Sequence, residues 1–236
     1  MERKNPFSSI YKQCNASSNM EKNDWQKENV SVPRLLDIEL TNCCNMHCRM
    51  CPVGTGVMKR TKGFMSDRVF ERILEDVKEF HIPAVRLIRW GEPTLHPKFF
   101  EYGEKLKSGR VMVHFNTNGL LLNEESIRKI VELKIDSMKF SFQGIDKLTY
   151  EEMRDGGDYL ELLNIIKMTY QIRGDKEFPY ISVTTSTTYE SDEDIVRFKS
   201  MIRAYCDEVS VGKTKMQHVD VQAMGMSEER RKIYEN

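Results

Sequence analysis

The sequence lacks a long apolar run, an excess of charge of either sign and a high cysteine content. Lysine plus arginine and aspartate plus glutamate each number 36, so no basic surface of the kind that binds nucleic acid is indicated. No apolar run reaches membrane-spanning length, and no apolar stretch of a signal peptide follows the first charged residues. We therefore expect no nucleic-acid partner and no membrane partner. Six cysteines do not make a disulfide framework in 236 residues, and we expect a reducing, cytoplasmic location.

Three of the six cysteines are clustered. Cys44, Cys48 and Cys51 have the spacing C-x3-C-x2-C and directly follow a strand-like run. This spacing does not fit one helix face, so the chain must form a loop for the three thiols to converge. Three thiolates are one fewer than a closed four-coordinate site needs, and an open position is typical of a catalytic metal. The residues alone leave three interpretations open: an iron–sulfur site, a zinc site with a fourth ligand such as His47, and buried thiols.

Strand-like and helix-like segments alternate after Pro33. Strands are predicted at 35–41, 84–90, 111–116, 137–142, 180–185 and 208–212. Helices between them are predicted near 97–108 and after the N-cap residues Ser66, Asn123, Asp158 and Ser191. Strands separated by single helices form a parallel sheet, which predicts an α/β fold, either an open sheet or an incomplete barrel. We expect it to occupy 34–212, between a polar N-terminal arm or cap (1–33) and a C-terminal tail (213–236).

Polar residues follow three of the predicted strands. The second strand runs into Trp90-Gly-Glu-Pro-Thr94, the third ends in Asn116-Thr-Asn-Gly119, and the fourth ends in Ser141-Phe-Gln-Gly144. Functional groups of a parallel α/β sheet gather beyond the carboxyl ends of its strands. Each segment, taken alone, is equally compatible with an ordinary turn.

The order of these motifs over 34–212 resembles the radical S-adenosylmethionine (radical SAM) superfamily, and is closest to its SPASM-domain subgroup. The resemblance implies a partial (β/α)6 barrel of parallel strands with outer helices. It also implies that Cys44, Cys48 and Cys51 hold a [4Fe–4S] cluster, and that S-adenosylmethionine (SAM) binds the iron that no cysteine occupies.

The resemblance further implies a set of SAM contacts. In the family, the segment that corresponds to Gly91, Glu92 and Pro93 holds the amino group of SAM. The position of Asn116 faces the cofactor or the substrate. By the same resemblance, Ser141 and Gln143 approach the ribose or the methionine carboxylate, and Arg154 lies where members often carry an arginine near that carboxylate.

The implied activity is reductive cleavage of SAM to a 5′-deoxyadenosyl radical, which abstracts hydrogen from a peptide, a sugar or an aminocyclitol. A reducing partner of the flavodoxin or ferredoxin type is expected. Members of the subgroup usually carry further C-terminal cysteines for auxiliary clusters, whereas only Cys206 follows Cys51 in this sequence. We therefore expect a single cluster. The alternative is a non-enzymatic iron–sulfur or zinc protein, including a truncated barrel without activity.

Overall fold

Six strands and seven helices alternate in the computed structural model, which describes residues 3–18, 32–188 and 190–215 together with Glu228 and Lys232. The strands are β1 Leu36–Ile38, β2 Ala84–Leu87, β3 Met112–Thr117, β4 Ser137–Ser141, β5 Tyr180–Thr187 and β6 Glu208–Lys213. The helices are α1 Ser8–Ser18, α2 Asp67–Glu79, α3 Phe99–Ser108, α4 Glu124–Glu132, α5 Lys147–Met153, α6 Tyr159–Arg173 and α7 Asp192–Arg203. A short 3-10 turn spans Pro93–Leu95.

The strands form one parallel sheet in the order β1-β2-β3-β4-β5-β6. Neighbours in sequence are thus neighbours in the sheet, joined by helical crossovers as predicted. The α/β fold expected from the sequence is confirmed. No helix in the described ranges has the length and apolar character needed to span a membrane.

The two faces of the sheet differ in chemistry because successive side chains of a strand point to opposite faces. The face covered by the helices is apolar, and its strand residues form one core with helix residues such as Phe70, Leu106 and Ile165. The opposite face, which we call the inner face, carries polar and charged side chains at the alternate positions. These include Asp37, Arg86, His114, Asn116, Lys139, Ser141, Ser182, Thr184 and Glu208.

Helix α1 covers part of the inner face at the end where the strands begin. Phe7 and Ile10 are buried against Ala84, with Leu35 and Met112 packed beside them. Residues 3–18 of the predicted arm or cap are thus seated on the sheet, while residues 19–31 lie outside the described part. Most of the predicted C-terminal tail also lies outside it.

Helix starts agree with the predicted N-caps, whereas two strands, β1 and β2, end three residues earlier than predicted. Asn123, Asp158 and Ser191 each accept a hydrogen bond from a backbone N–H of the first turn of the helix that follows. β1 ends at Ile38 because the chain then turns to a different partner: Leu40 O accepts from Met65 N, and Thr41 forms an antiparallel bridge with Phe64. β2 likewise ends at Leu87, before the Gly-Glu-Pro segment.

Candidate cofactor site

One pocket at the carboxyl edge of the sheet gathers most of the predicted site residues. It has a volume of about 280 Å³ and lies where β1, β2, β3 and β4 end. The predicted residues that line it are Cys44, Cys48, Cys51, Gly91, Glu92, Asn116, Ser141 and Arg154. Residues that are separated by more than a hundred positions in the sequence are therefore brought together by the parallel strands.

The cysteines lie on a loop that closes tightly on itself. Cys51 N donates to Cys48 O at 3.1 Å, and Thr55 N donates to Cys51 O at 2.9 Å. A Cβ atom on Gly54 would lie 2.5 Å from both the backbone nitrogen and the carbonyl oxygen of Cys48. Only glycine fits such an approach, so Gly54 fixes the path of the chain around Cys48.

The same loop is joined to the end of α5 through backbone hydrogen bonds. His47 N donates to Asp155 O at 2.8 Å, and Arg49 N donates to Met153 O at 2.9 Å. These bonds flank Arg154 and bring its guanidinium beside the cysteine loop. Arg154 Nη1 lies 4.0 Å from the sulfur of Cys48.

The three thiols line one pocket, and burial changes the ionisation of two of them. Burial raises the pKa of Cys44 to about 11, with smaller contributions from Glu92, Cys48 and Cys51. Burial also raises the pKa of Cys48, against the opposing charge of Arg154. Cys43 is directed elsewhere, with its sulfur 3.9 Å from Gly63 O.

The three thiols are chemically suited to an iron–sulfur cluster, and they line one pocket. Among the described residues, no three His, Cys, Asp or Glu side chains converge around one point as ligands of a single metal ion do. An iron–sulfur cluster is held by cysteine thiolates, and each thiolate binds a different iron at the rim of a larger body. Three cysteines spread around one pocket suit that demand.

Glu92 is the acidic residue of the pocket lining, and it is buried, with 2 % of its surface exposed. Its Oε1 accepts from the hydroxyl groups of Thr94 at 2.7 Å and Thr117 at 2.8 Å, and its Oε2 accepts from Asn118 N at 2.7 Å. Burial raises the pKa of this carboxyl, while the hydrogen bonds to Asn118, Thr94 and Thr117 act in the opposite direction. The side chain therefore ties the end of β2 to the end of β3.

The backbone of this segment approaches the cysteine loop closely. Gly91 has a φ of +83°, and a Cβ atom on it would lie 2.6 Å from Cys43 O. Glu92 N donates to the same Cys43 carbonyl at 2.8 Å. Arg89, two residues earlier, has a φ of 121°, a backbone conformation that costs free energy in a non-glycine residue. Strain of this kind is common at functional sites.

Two predicted SAM contacts lie outside the pocket lining. The Gln143 side chain is buried, and its Nε2 donates to Ser186 O at 3.0 Å and to Thr214 Oγ1 at 2.6 Å. β4 ends at Ser141, so the strand no longer sets the direction of the Gln143 side chain, and these two hydrogen bonds hold its amide at β5 and Thr214 instead of the pocket. Pro93 is buried at the start of the 3-10 turn and acts on the backbone path.

Sequence reasoning missed several residues that line the pocket. Asn118 is the most connected of them, since its Nδ2 lies 2.8 Å from Asn45 Oδ1 and 3.8 Å from the sulfur of Cys44. Its place in the polar run at the end of β3 is a sequence signal for a pocket residue, although the prediction named only Asn116 from that run. Met46, Arg89 and Thr117 also line the pocket. For Arg89 the sequence offers no signal beyond its position before Trp90 and Gly91.

Curated relatives match this chain over part of their own length. The Tungsten-containing aldehyde ferredoxin oxidoreductase cofactor-modifying protein of Pyrococcus furiosus is 32% identical over 111 residues, which cover 46% of this chain and 30% of that protein. Mycofactocin maturase MftC of Mycobacterium ulcerans is 28% identical over 130 residues, which cover 55% of this chain and 34% of that protein. The matched part thus spans about a third of these relatives.

Solved structures share the fold. SuiB of Streptococcus suis, bound to its precursor peptide SuiA, superposes with a TM-score of 0.67 at 18% identity, over 92% of this chain and 47% of that one. The structure of anSMEcpe with bound AdoMet gives a TM-score of 0.62 at 17% identity, over 77% of this chain and 52% of that one.

The family itself is shown by a sequence profile that matches most of the chain. The profile of the radical SAM superfamily matches residues 38–202, from β1 to the end of α7. The cofactors of this family are a [4Fe–4S] cluster and SAM. The relatives include a maturase, in agreement with the predicted subgroup. The profile match shows that the chain belongs to the radical SAM superfamily.

Proposed function

We propose that this protein is a radical SAM enzyme whose Cys44, Cys48 and Cys51 hold one [4Fe–4S] cluster. When bound, the cluster supplies the electron that cleaves SAM to methionine and a 5′-deoxyadenosyl radical, which takes hydrogen from the substrate. The observation that carries the proposal is the meeting of the three thiols, the Gly91-Glu92 segment and Arg154 in one pocket.

Arg154 is the residue best suited to the SAM carboxylate. Its Nη2 donates to Phe142 O at 3.2 Å, whereas its Nε is buried and has no hydrogen-bond partner among the described residues. A buried donor without an acceptor is costly, so a carboxylate here would satisfy it. The planar guanidinium suits a carboxylate because it can donate two parallel hydrogen bonds.

The Gly91-Glu92 segment suits the ammonium group of SAM. Gly91 allows the backbone to run close to the cysteine loop, and the buried Glu92 side chain holds the segment through Thr117 and Asn118. We assign the binding to the backbone carbonyls of this segment, because both carboxylate oxygens of Glu92 already accept hydrogen bonds. Asn116 and Ser141 line the same pocket and are assigned to the remainder of SAM or to the substrate.

The substrate class is proposed from relatives. MftC is named a maturase, and SuiB is described with a bound precursor peptide. A peptide is therefore the first substrate to test, with a small molecule as the second. The reaction needs an electron donor, for which we propose a flavodoxin or ferredoxin in a reducing cytoplasm.

Anaerobic reconstitution with iron and sulfide tests the cluster. We expect about four irons per chain, as for a single [4Fe–4S] centre, and a brown protein whose broad visible band is bleached by dithionite. A colourless protein that retains zinc after reconstitution would contradict the proposal and favour the zinc alternative. About eight irons per chain would contradict the single cluster.

Production of 5′-deoxyadenosine tests the enzyme. Reconstituted protein is mixed with SAM and dithionite, and 5′-deoxyadenosine is measured by mass spectrometry. Cys48→Ala serves as the negative control and Cys43→Ala as the matched positive control, because the Cys43 sulfur faces Gly63 instead of the pocket. A cluster-loaded protein that forms no 5′-deoxyadenosine would be a non-enzymatic iron–sulfur protein.

A further inference from the structure

Lys139 lies on the inner face, one step below the pocket. It precedes Ser141 by two residues on β4, and it is the register partner of Asn116 on β3. Both Ser141 and Asn116 line the pocket. Residues two apart on a strand point to the same face and are separated by about 6.6 Å, so the Lys139 side chain rises from the sheet next to the pocket floor.

The other charged groups of the inner face are already engaged. Arg86 binds Asp37 through two hydrogen bonds, Nε to Oδ1 at 2.7 Å and Nη2 to Oδ2 at 2.9 Å. Glu208 lies two strands from Lys139 in the same row, and its Oε2 accepts from Asn5 Nδ2 at 3.5 Å. His114 bonds to Ser137 and Asn116, and burial lowers its pKa to about 4, so it carries no charge at neutral pH.

Lys139 is the exception. It is half-buried, and no described residue accepts a hydrogen bond from its ammonium group. Burial lowers its pKa, and the charges of Arg86 and Glu208 act on it in opposite directions. Partial burial of a cation without an acceptor is unfavourable, and an anion placed beside it would remove that cost.

Residues around Lys139 complete a small polar site. Asn116 and Ser182 are its register partners on either side, and Ser141 and Thr184 follow one step nearer to the pocket. The Ser182 hydroxyl already donates to Met138 O at 3.2 Å, and the Thr184 hydroxyl shares a hydrogen bond with Ser210, so the neutral donors for an anion are the Asn116 amide and the Ser141 hydroxyl. The site therefore combines one free positive charge with neighbouring neutral donors, at the side of the pocket where a substrate would face the cofactor.

We propose that Lys139 binds an anionic group of the substrate, a carboxylate or a phosphate, on the inner face next to the cofactor pocket. This proposal deepens the proposed function. That the anionic group belongs to a substrate rests on the proposed function, whereas the binding of an anion at Lys139 does not. The ion pair anchors one end of the substrate, so that the reacting carbon is presented to the pocket mouth. Neutral substrates, whether peptides or sugars, are accordingly disfavoured.

Amine acetylation tests the anion site at the level of the residue. The full reconstituted chain is treated with a water-soluble acetylating reagent, and the rate at Lys139 is followed by peptide mass spectrometry. Three probes are compared: succinate, inorganic phosphate and the neutral succinamide. We expect succinate or phosphate, but not succinamide, to slow acetylation of Lys139, while exposed Lys199 on α7 serves as the internal control. Protection by succinate alone indicates a carboxylate site, and protection by phosphate alone a phosphate site.

Variants test whether the charge is what binds. Lys139→Met keeps the length of the side chain without its charge, and we expect it to bind the protecting anion at least about tenfold more weakly in calorimetry, as for loss of a charge-assisted hydrogen bond. Lys139→Arg should restore most of the binding, and Lys199→Met should leave it unchanged. Circular dichroism and iron content equal to those of the unmodified protein show that a variant has folded.

The outcomes separate this proposal from the proposed function. Equal protection by succinamide, or unaltered anion binding in Lys139→Met, overturns the anion site even if 5′-deoxyadenosine is formed. Protection of Lys139 in a protein that forms no 5′-deoxyadenosine leaves the anion site in place and overturns the radical function alone.

Discussion

Gly91 and Cys43 are in close contact: the Cys43 carbonyl oxygen, together with that of Thr41, leaves no room for a side chain at 91, and it also holds the start of the cysteine loop. A Cβ atom on Gly91 would lie 2.6 Å from Cys43 O, which also accepts a hydrogen bond from Glu92 N at 2.8 Å. The start of the cysteine loop is thus held by the segment after β2.

We expect Gly91→Ala to destabilise the protein and to reduce cluster retention. The residue has a φ of +83°, which costs an alanine about 1–2 kcal/mol, and the new methyl group must also displace the carbonyls of Thr41 and Cys43. Gly56→Ala is the matched control: its φ is +71°, but a Cβ atom there would meet nothing within 4 Å. Chemical denaturation and iron analysis measure both. Equal losses in the two variants would show that the contacts with Thr41 and Cys43 have no effect.

We expect alanine at Cys44, Cys48 or Cys51 to abolish iron binding, because each removes one of the three proposed cluster thiolates. Cys43→Ala should retain most of the iron, since adjacent side chains point apart and the Cys43 sulfur faces Gly63. Iron and sulfide are measured after anaerobic reconstitution. Iron lost from Cys43→Ala and retained by Cys44→Ala would show that the ligand set is shifted by one residue.

We expect Arg154→Met to weaken SAM binding by about 1.5–3 kcal/mol and to leave the iron content unchanged, as for loss of a hydrogen bond to a charged group. Arg128→Met is the control, because Arg128 lies on α4 with an exposed side chain bound to Glu124. Equilibrium binding of SAM to the reconstituted proteins gives the difference. Unaltered affinity in Arg154→Met would leave the arginine with a structural role only.

We expect acid to destabilise the fold through His114. Burial lowers the pKa of His114 from 6.5 to about 4, so the unfolded chain takes up this proton at a higher pH than the folded chain. The stabilisation by the neutral side chain is complete above pH 6.5, is lost progressively between pH 6.5 and 4, and amounts to roughly 3 kcal/mol.

The pH dependence is measured on His114→Gln, which keeps a polar side chain between Ser137 and Asn116. Its free energy of unfolding should change less between pH 6.5 and 4 than that of the unmodified protein. His81→Asn, on an exposed loop, should behave as the unmodified protein does. An unchanged pH profile in His114→Gln would assign the acid sensitivity to other groups.

The parallel sheet was predictable because its signals are local. Apolar strand runs and N-caps such as Asn123 and Ser191 depend on a few neighbouring residues, and the structure contains both caps. Helix α1 was not predicted, since only its contacts with the distant Ala84 and Met112 give its apolar residues a partner. Helix α5 was missed because its seven residues are too few for a clear apolar period.

Most residues that line the pocket could be predicted from the sequence, but the hydrogen bonds between them could not. The cysteine spacing and the Gly-Glu-Pro segment depend on residue type, and both line the pocket. The resemblance implies Gln143 there as well, but Gln143 lies beyond the end of β4, and its amide contacts with Ser186 and Thr214 direct it elsewhere. The position of Lys139 next to the pocket, with no hydrogen-bond acceptor among the described residues, could not be predicted because it depends on the register of three strands.

The backbone hydrogen bonds between the cysteine loop and the end of α5 have a consequence for which residue types positions 47 and 49 can accept. They are made by the backbone of His47, Arg49, Met153 and Asp155, so any residue that keeps its N–H can stand at 47 or 49. Proline is the one amino acid that chemistry forbids there, because it has no N–H to donate. The side chains at 47 and 49 can therefore vary without loss of this backbone join, which keeps the loop that carries Cys48 beside Arg154.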